Sequence, residues 1–253
     1  MKKLIINADD FGLTDGVCRG IVELLELGAI RDTTAMMAVE GSVARALAHG
    51  ARGMGAVMGL HLQLTSGMPL CAAEDVPSLV RPDGRFKDKL ELDSVDSVEV
   101  RLEWERQVDV FVDRFGFLPT HLDSHHSVHD VGELAEIYLE LAALMGIPVR
   151  RGHVRALEGQ RQEFGVHGTD AVVNAWTGRG LGIGALKTQI VAAADGYDVV
   201  EVVAHPGYSD ESLRAVSSLN DRREADLQDL RALHAEGWVA ANGFILARYG
   251  DAF

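Results

Sequence analysis

Basic residues, aromatics and cysteines are all scarce in this 253-residue chain. Lys and Arg total 24 against 38 Asp and Glu, a formal net charge of −14. Such a surface repels phosphate backbones and anionic lipid headgroups, which argues against nucleic acid or a membrane surface as a partner. The two cysteines, Cys18 and Cys71, form no disulfide framework and no metal-ligand spacing, and fit a reducing compartment. Cys18 falls in a predicted helix, where a core thiol is expected. No apolar run approaches a membrane span. Met1-Lys2-Lys3 leads straight into a short strand, too brief a start for a signal peptide. A cytoplasmic protein is expected. Three chemical signatures are also missing. The first strand is not followed by a dinucleotide-binding glycine fingerprint. The glycine run 178–184 lacks the Lys-Ser/Thr of a P-loop, and no G-x-S-x-G elbow is found.

What is present is a core-forming composition, 47% hydrophobic, with strand and helix patterns in alternation. Leu4-Ile5-Ile6 reads as a buried strand. Thr14 or Asp15 caps a helix with Val17, Ile21, Leu24 and Leu25 on one face, closed by Gly28. Residues 32–39 and 55–60 read as strands around a short helix at 42–49. Residues 65–96 are irregular and read as a functional loop or lid. Val100, Trp104, Val108, Phe111 and Phe115 stripe a helix over 97–115. A strand at 120–123 follows. Asp130 and Glu133 have capping-box spacing before a helix ending at Gly146. Strands at 147–150 and 199–204 and helices at 185–194 and 221–235 complete the reading, with 152–182 unpatterned. No repeat or linker divides the chain, so one domain over 1–253 is expected. Alternating strands and helices predict a parallel sheet covered by helices: an α/β, (β/α) barrel-like fold, complete or incomplete, rather than an open doubly wound sheet.

The strand ends carry the chemistry. Asp9 and Asp10 follow the first strand, His61 the third, His125 the next and His205 a late one. Parallel strands deliver such residues to one rim, the rim that holds active sites in barrels. A single histidine after a strand is usually structural. Three, with an acidic pair, are hard to ascribe to chance. One carboxylate and two neutral imidazoles make a common site for a divalent ion. A cation would also relieve repulsion between Asp9 and Asp10. Successive strand residues point to opposite faces, so a turn or bulge is expected between those two aspartates. Within Thr120–His129 the ligand is ambiguous. His121, Asp123 and His125 alternate as on a strand, whereas His126 and His129 have helical spacing.

The segments Asn7-Ala8-Asp9-Asp10-Phe11-Gly12, Thr33-Thr34-Ala35, Gly59-Leu60-His61-Leu62-Gln63-Leu64-Thr65, Thr120-His121-Leu122-Asp123-Ser124-His125-His126, Ala204-His205-Pro206-Gly207-Tyr208 and Arg223-Glu224 resemble, in order, the YdjC/ChbG family of carbohydrate deacetylases, which includes the HpnK proteins of hopanoid synthesis. The resemblance spans nearly the whole chain. It implies a barrel-like fold and metal-dependent removal of an N-acetyl group from an amino sugar. It implies Asp10, His61 and His125 as ligands of one divalent ion: Mg2+ or Zn2+, with Mn2+ or Co2+ as alternatives. It implies Asp9 as general base and His205 as general acid. Ser127 stands where the family often has His, and residues 152–198 match weakly. Phe11, Tyr208 and Trp176 are the aromatic candidates for holding a sugar, although Trp176 reads better as core. Arg223 is placed to pair with an acidic neighbour in the site. The expected partner is a small acetylated amino sugar, with homo-oligomerisation left open. An amide hydrolase acting on a glycolipid intermediate is the nearest alternative. A catalytically idle binding barrel is disfavoured because all five site positions are filled.

Overall fold

The computed structural model describes residues 2–152 and 161–253; residues 153–160 of the unpatterned stretch lie outside them. Among the described residues the strands are β1 (Lys2–Phe11), β2 (Asp32–Met36), β3 (Met58–Leu62), β4 (Leu122–Ser124), β5 (Ala171–Val173), β6 (Val199–Ala204) and β7 (Phe244–Ala247). They pair in the order β4–β3–β2–β1–β6–β5, all parallel. β7 lies parallel to the first half of β1. Val149 then bridges Leu122 of β4 on one side and Gly168, just ahead of β5, on the other. Regular strands thus curl into a half-barrel, and single-residue bridges carry the ring round. The expected barrel-like α/β fold is observed, with its strand at 147–150 reduced to those bridges.

The helices lying wholly among the described residues are α1 (Asp15–Leu27), α2 (Ser42–Ala48), α3 (Ser97–Phe115), α4 (Leu134–Met145), α5 (Gly182–Ala193), α6 (Glu211–Val216), α7 (Asp221–Ala235), α8 (Trp238–Ala241) and α9 (Tyr249–Ala252). Thr14 caps α1 by accepting from the Val17 amide, and Gly28 closes it at φ 77°. The expected capping box at Asp130 is not formed. α4 begins at Leu134, and its N-cap residue Glu133 makes no side-chain cap. Residues 125–130 instead form a tight turn in which His126 and Ser127 take left-handed backbone angles. The segment 65–96 is pinned rather than free. Glu103 of α3 accepts from the Leu70 and Cys71 amides, and Val76, Leu79, Phe86 and Leu92 are buried.

Alternation along the strands divides the interior into two layers. Leu4, Ile6 and Ala8 face outward, into the main core beneath the helices. Ile5 faces inward and packs with Val199, Ala247, Tyr249 and Ala252 as an apolar plug. Above the plug the strands carry Asn7, Thr34, Asp123, Glu201 and then Asp9, all buried. The floor of the barrel is therefore hydrocarbon, its middle is charged, and its mouth carries the site.

One close approach positions that mouth. α1 lies against the segment after β6, and a Cβ on Gly20 would sit 2.9 Å from the Gly207 Cα. Gly20→Ala is expected to push this backbone, and His205 with it. We expect a loss of about 1–3 kcal/mol from overpacking, partly offset by about 1 kcal/mol of helix propensity, together with a fall in kcat. Urea midpoints and initial rates measure both; two unchanged values would mean that the Gly207 segment yields freely.

Candidate active site

β1 runs on through the acidic pair, further than its apolar run of Leu4 to Ile6 suggests. Its register against β2 slips between Ala8 and Phe11, and Asp10 sits at φ 71°. This is the expected bulge, and it turns both carboxylates toward the barrel mouth. Among the described residues, the non-glycine residues with positive φ are Asp10, Ser66, His126 and Ser127. All of them line one cavity of about 510 Å³. Left-handed backbone costs roughly 1–3 kcal/mol per residue and collects where geometry is functionally constrained.

Three side chains meet at the cavity floor. His61 Nε2 lies 3.3 Å from Asp10 Oδ1, His125 Nδ1 lies 3.2 Å from the same oxygen, and the two nitrogens are 3.3 Å apart. Asp10 Oδ1 is buried with no hydrogen-bond partner among the described residues. His61 Nδ1 lies 2.7 Å from Asp123 Oδ1, an acceptor, so the ring proton belongs there and Nε2 presents a lone pair. His125 Nε2 is 3.2 Å from the Ser66 hydroxyl, which can take its proton in the same way. Three lone-pair donors then converge on one point. Ligands about 2.0–2.1 Å from a common ion would be spaced much like this triangle. A carboxylate behind a ligating imidazole is the usual outer partner. The donor set therefore fits a divalent cation. Without one, burial lowers the His61 pKa, but Asp123, Asp10 and Asp9 outweigh it and hold it at about 10.

Asp9, His61 and Asp123 also converge. A guanidinium already serves that group. Arg150 donates from Nη2 to Asp9 Oδ1 at 2.7 Å, from Nη1 to Asp9 Oδ2 at 2.8 Å and from Nε to Glu201 Oε1 at 2.8 Å. Its Nη2 is also 2.9 Å from Asp123 Oδ2. Asn7 Nδ2 adds a donor to Asp9 Oδ1 at 2.8 Å. Burial raises the Asp9 pKa, but Arg150 wins and holds it well below the usual carboxylate range. Asp10 is likewise held low against burial by Arg223 and His125. Arg150 was not singled out in the sequence. It closes the predicted strand at 147–150, so the strand-end rule that marks the histidines would have marked it too.

His205 stands across the cavity, its Nε2 3.9 Å from Asp9 Oδ2. Its Nδ1 meets the Thr177 hydroxyl at 2.9 Å, and that hydroxyl also contacts Asp226. Burial lowers the His205 pKa, with Asp9 and Asp10 opposing. Arg223 and Asp226 are three apart on α7 and so share a face. Arg223 Nη2 donates to Asp10 Oδ2 at 2.6 Å, the acidic neighbour its position suggested. Asp123, Thr177 and Asp226 went unmarked in the sequence as site residues. Only Asp123, in the alternating His121-Asp123-His125, had a signal.

The aromatic candidates lie elsewhere. Phe11 and Trp176 are fully buried in the main core, and neither lines the cavity. Tyr208 turns its hydroxyl to Glu23 at 2.6 Å, under the Arg19 guanidinium. Among the described residues no Phe, Tyr or Trp lines the cavity, and Leu13, Val172, Val203, Val216 and Leu219 supply its apolar wall. Asp9, Asp10, His61, His125, His205 and Arg223 all line it. The other histidines of the ambiguous segment do not join the triangle, although the His126 ring lies 3.9 Å from that of His125. His121 stacks on Tyr249 at 3.7 Å, His129 on Tyr138 at 4.6 Å, and His126 Nδ1 meets Thr65 Oγ1 at 3.0 Å. Ser66 is what the segment 65–96 brings to the cavity. Val172, Asn174, Thr177 and Arg179 come from the described part of 152–184.

Fold and site define a barrel-like α/β protein whose mouth gathers a carboxylate–imidazole metal-type triangle beside a second carboxylate facing a second imidazole. The sequence profile described as YdjC-like protein matches residues 3–241, and the chain belongs to that family. It is 34% identical over 241 residues to a carbohydrate deacetylase of Brevibacillus brevis, covering 94% of each chain. It is 34% identical over 262 residues to a chitooligosaccharide deacetylase of Proteus mirabilis, covering 98% of each. A crystal structure from Enterococcus faecalis, provisionally described as a cellobiose-phosphate cleavage protein, superposes with a TM-score of 0.87 at 28% identity, over 98% of this chain and 97% of that one.

Proposed function

We propose that the chain is a metal-dependent carbohydrate deacetylase that hydrolyses the N-acetyl group of an amino sugar, a chitooligosaccharide or a related glycoconjugate. The observation that carries this reading is the juxtaposition at one cavity floor. The Asp10–His61–His125 triangle lies beside Asp9 Oδ2 and His205 Nε2, which face each other at 3.9 Å. Asp10, His61 and His125 would hold the ion, and two imidazole nitrogens favour zinc or another first-row ion over magnesium. When bound, such an ion polarises an amide carbonyl and makes water more acidic.

The remaining roles belong to side chains. Asp9 Oδ1 is engaged by Arg150 and Asn7, whereas Oδ2 accepts from Arg150 Nη1 and has a lone pair to spare. Oδ2 is therefore the oxygen that accepts the proton of the attacking water. The strong Arg150 pair makes Asp9 a weak base at rest, so its task demands a water already acidified. The proton that Asp9 Oδ2 takes from water passes to His205 Nε2, 3.9 Å away, and from there to the departing amine, so that the products are acetate and a free amino sugar. Arg223 holds Asp10 by its second oxygen, leaving Oδ1 for the triangle. The hydroxyls of Ser66, Ser217 and Ser218, with Asn174, offer polar contacts for a sugar in a cavity whose described lining holds no aromatic platform.

Acetate release from a panel of N-acetylated chitooligosaccharides tests the reading. Turnover is expected, lost with chelator and restored by zinc, cobalt or manganese. Turnover insensitive to chelator, or no acetate from any N-acetyl sugar, would reject it. The ligand set has its own test. His125→Ala is expected to lower bound metal at least tenfold, an effect of the size seen on loss of metal-site partners (about 10–100-fold). His126→Ala and His129→Ala are expected to leave it near wild type. Metal analysis with the order reversed would move the ligand.

A further inference from the structure

Thr177 of the cavity wall and Asp226 behind it have no part in the roles above, and they form a chain behind His205. Thr177 follows β5 and Asp226 lies on α7, one turn beyond Arg223. The Thr177 hydroxyl oxygen is 2.9 Å from His205 Nδ1 and also contacts Asp226 Oδ2. Asp226 is 1% exposed. Its remaining contacts are all with donors: the His205 amide at 3.1 Å to Oδ2, and the Gly178 amide at 3.2 Å to Oδ1 and 3.3 Å to Oδ2. Burial raises the Asp226 pKa, and the Thr177 and His205 donors restrain that rise.

A hydroxyl has one proton to give. Asp226, ringed by N–H donors, is the acceptor, so the Thr177 proton goes to Asp226. The Thr177 oxygen must then accept from His205, which places the ring proton on Nδ1. We propose that Thr177 and Asp226 are positioning residues that act as a hydroxyl relay, fixing His205 in the Nδ1–H tautomer so that the Nε2 lone pair faces Asp9 Oδ2, ready to take up a proton and pass it to the reacting amine. The assignment of a task to His205 rests on the deacetylase reading; the tautomer does not.

The relay differs from a direct histidine–carboxylate pair in one respect. An interposed hydroxyl fixes the tautomer while keeping the carboxylate charge one bond further from the ring. That suits a group that must both hold and release a proton, because a directly paired carboxylate binds the imidazolium more tightly. The charged groups facing the ring are Asp9 and Asp10 from β1 and Arg223 and Asp226 from α7.

The test uses the full chain with Thr177→Val, Thr177→Ser and Asp226→Asn, and reads the tautomer directly. Long-range 1H–15N correlation spectra of protein labelled with 15N-histidine distinguish Nδ1–H from Nε2–H, with His205→Gln identifying the His205 signals. Wild type and Thr177→Ser are expected to show Nδ1–H. Thr177→Val is expected to show a mixture or Nε2–H, although its shape is conserved. On an N-acetylated chitooligosaccharide, Thr177→Val is expected to lose about 10–100-fold in kcat, as loss of a ring-orienting partner does, with KM within about threefold. Thr177→Ser should recover most of that. Asp226→Asn is expected to lose kcat with Thr177→Val, and the double variant to lose no more than either alone. An unchanged Nδ1–H tautomer in a folded Thr177→Val protein would overturn the relay. A shifted tautomer in a protein that deacetylates no sugar would uphold the relay and overturn the deacetylase reading instead.

Discussion

Asp9→Asn is expected to lower kcat by about 10²–10⁴, the range supplied by a positioned proton acceptor, while metal content stays at the wild-type level. The substitution preserves volume and leaves Asp10, His61 and His125 untouched. It removes the carboxylate oxygen that faces His205 Nε2. It also places an amide NH2 against one of the two Arg150 N–H groups that Asp9 now accepts. A loss of stability should therefore accompany the loss of rate, and the two must be measured separately. Steady-state rates below the wild-type unfolding range, with metal analysis on the same sample, separate them. Turnover within a few-fold of wild type would remove Asp9 as the base and leave it a purely structural partner of Arg150.

Arg150→Met should have the largest effect on the fold. Arg150 is 4% exposed and is the cation that Asp9, Asp123 and Glu201 share in the middle of the barrel. Removing one member of a buried pair leaves its partners desolvated and uncompensated, at a cost of about 3–5 kcal/mol. At about 2–4 °C per kcal/mol for a chain near this size, the melting temperature should fall by roughly 6–20 °C at neutral pH. The sign of the pH dependence follows from Asp9. Its folded pKa is depressed, so its contribution to stability is complete above the ordinary carboxylate value and is lost as pH falls toward the folded one. The gap between wild type and Arg150→Met should therefore narrow on acidification. Scanning calorimetry at pH 7 and at about pH 3, below the ordinary carboxylate value, reads this. A melting temperature unchanged at pH 7 would mean that the three carboxyls are already protonated, contrary to the depressed Asp9.

Much of this was legible in the chain. The alternation of strand and helix patterns led to the barrel-like fold, because an apolar run followed by a capped amphipathic stretch has few other solutions. The strand-end positions of Asp9, Asp10, His61, His125 and His205 gathered them on one rim before any contact was known. Where the readings slipped, local pattern was overruled by the tertiary setting. His61 lies inside β3 rather than after it, since the ladder with Thr34, Ala35 and Met36 extends the strand. Asp130 lost its cap to the tight turn at His126 and Ser127. β5 is three residues long and β7 four, too short for a period to emerge against their surroundings.

Phe11, Trp176 and Tyr208 show a limit of another kind. An aromatic beside a site motif can point into the cavity or away from it, and one residue of register decides which. By itself the sequence determined the class of fold, the acidic surface chemistry, and the set of polar groups brought to one rim, because periodicity and strand direction are local properties. Only the tertiary structure decided which oxygen of Asp9 is spare, and that Arg150, Thr177 and Asp226 stand behind the site. Those are distances between residues far apart in the chain, and no spacing along it encodes them.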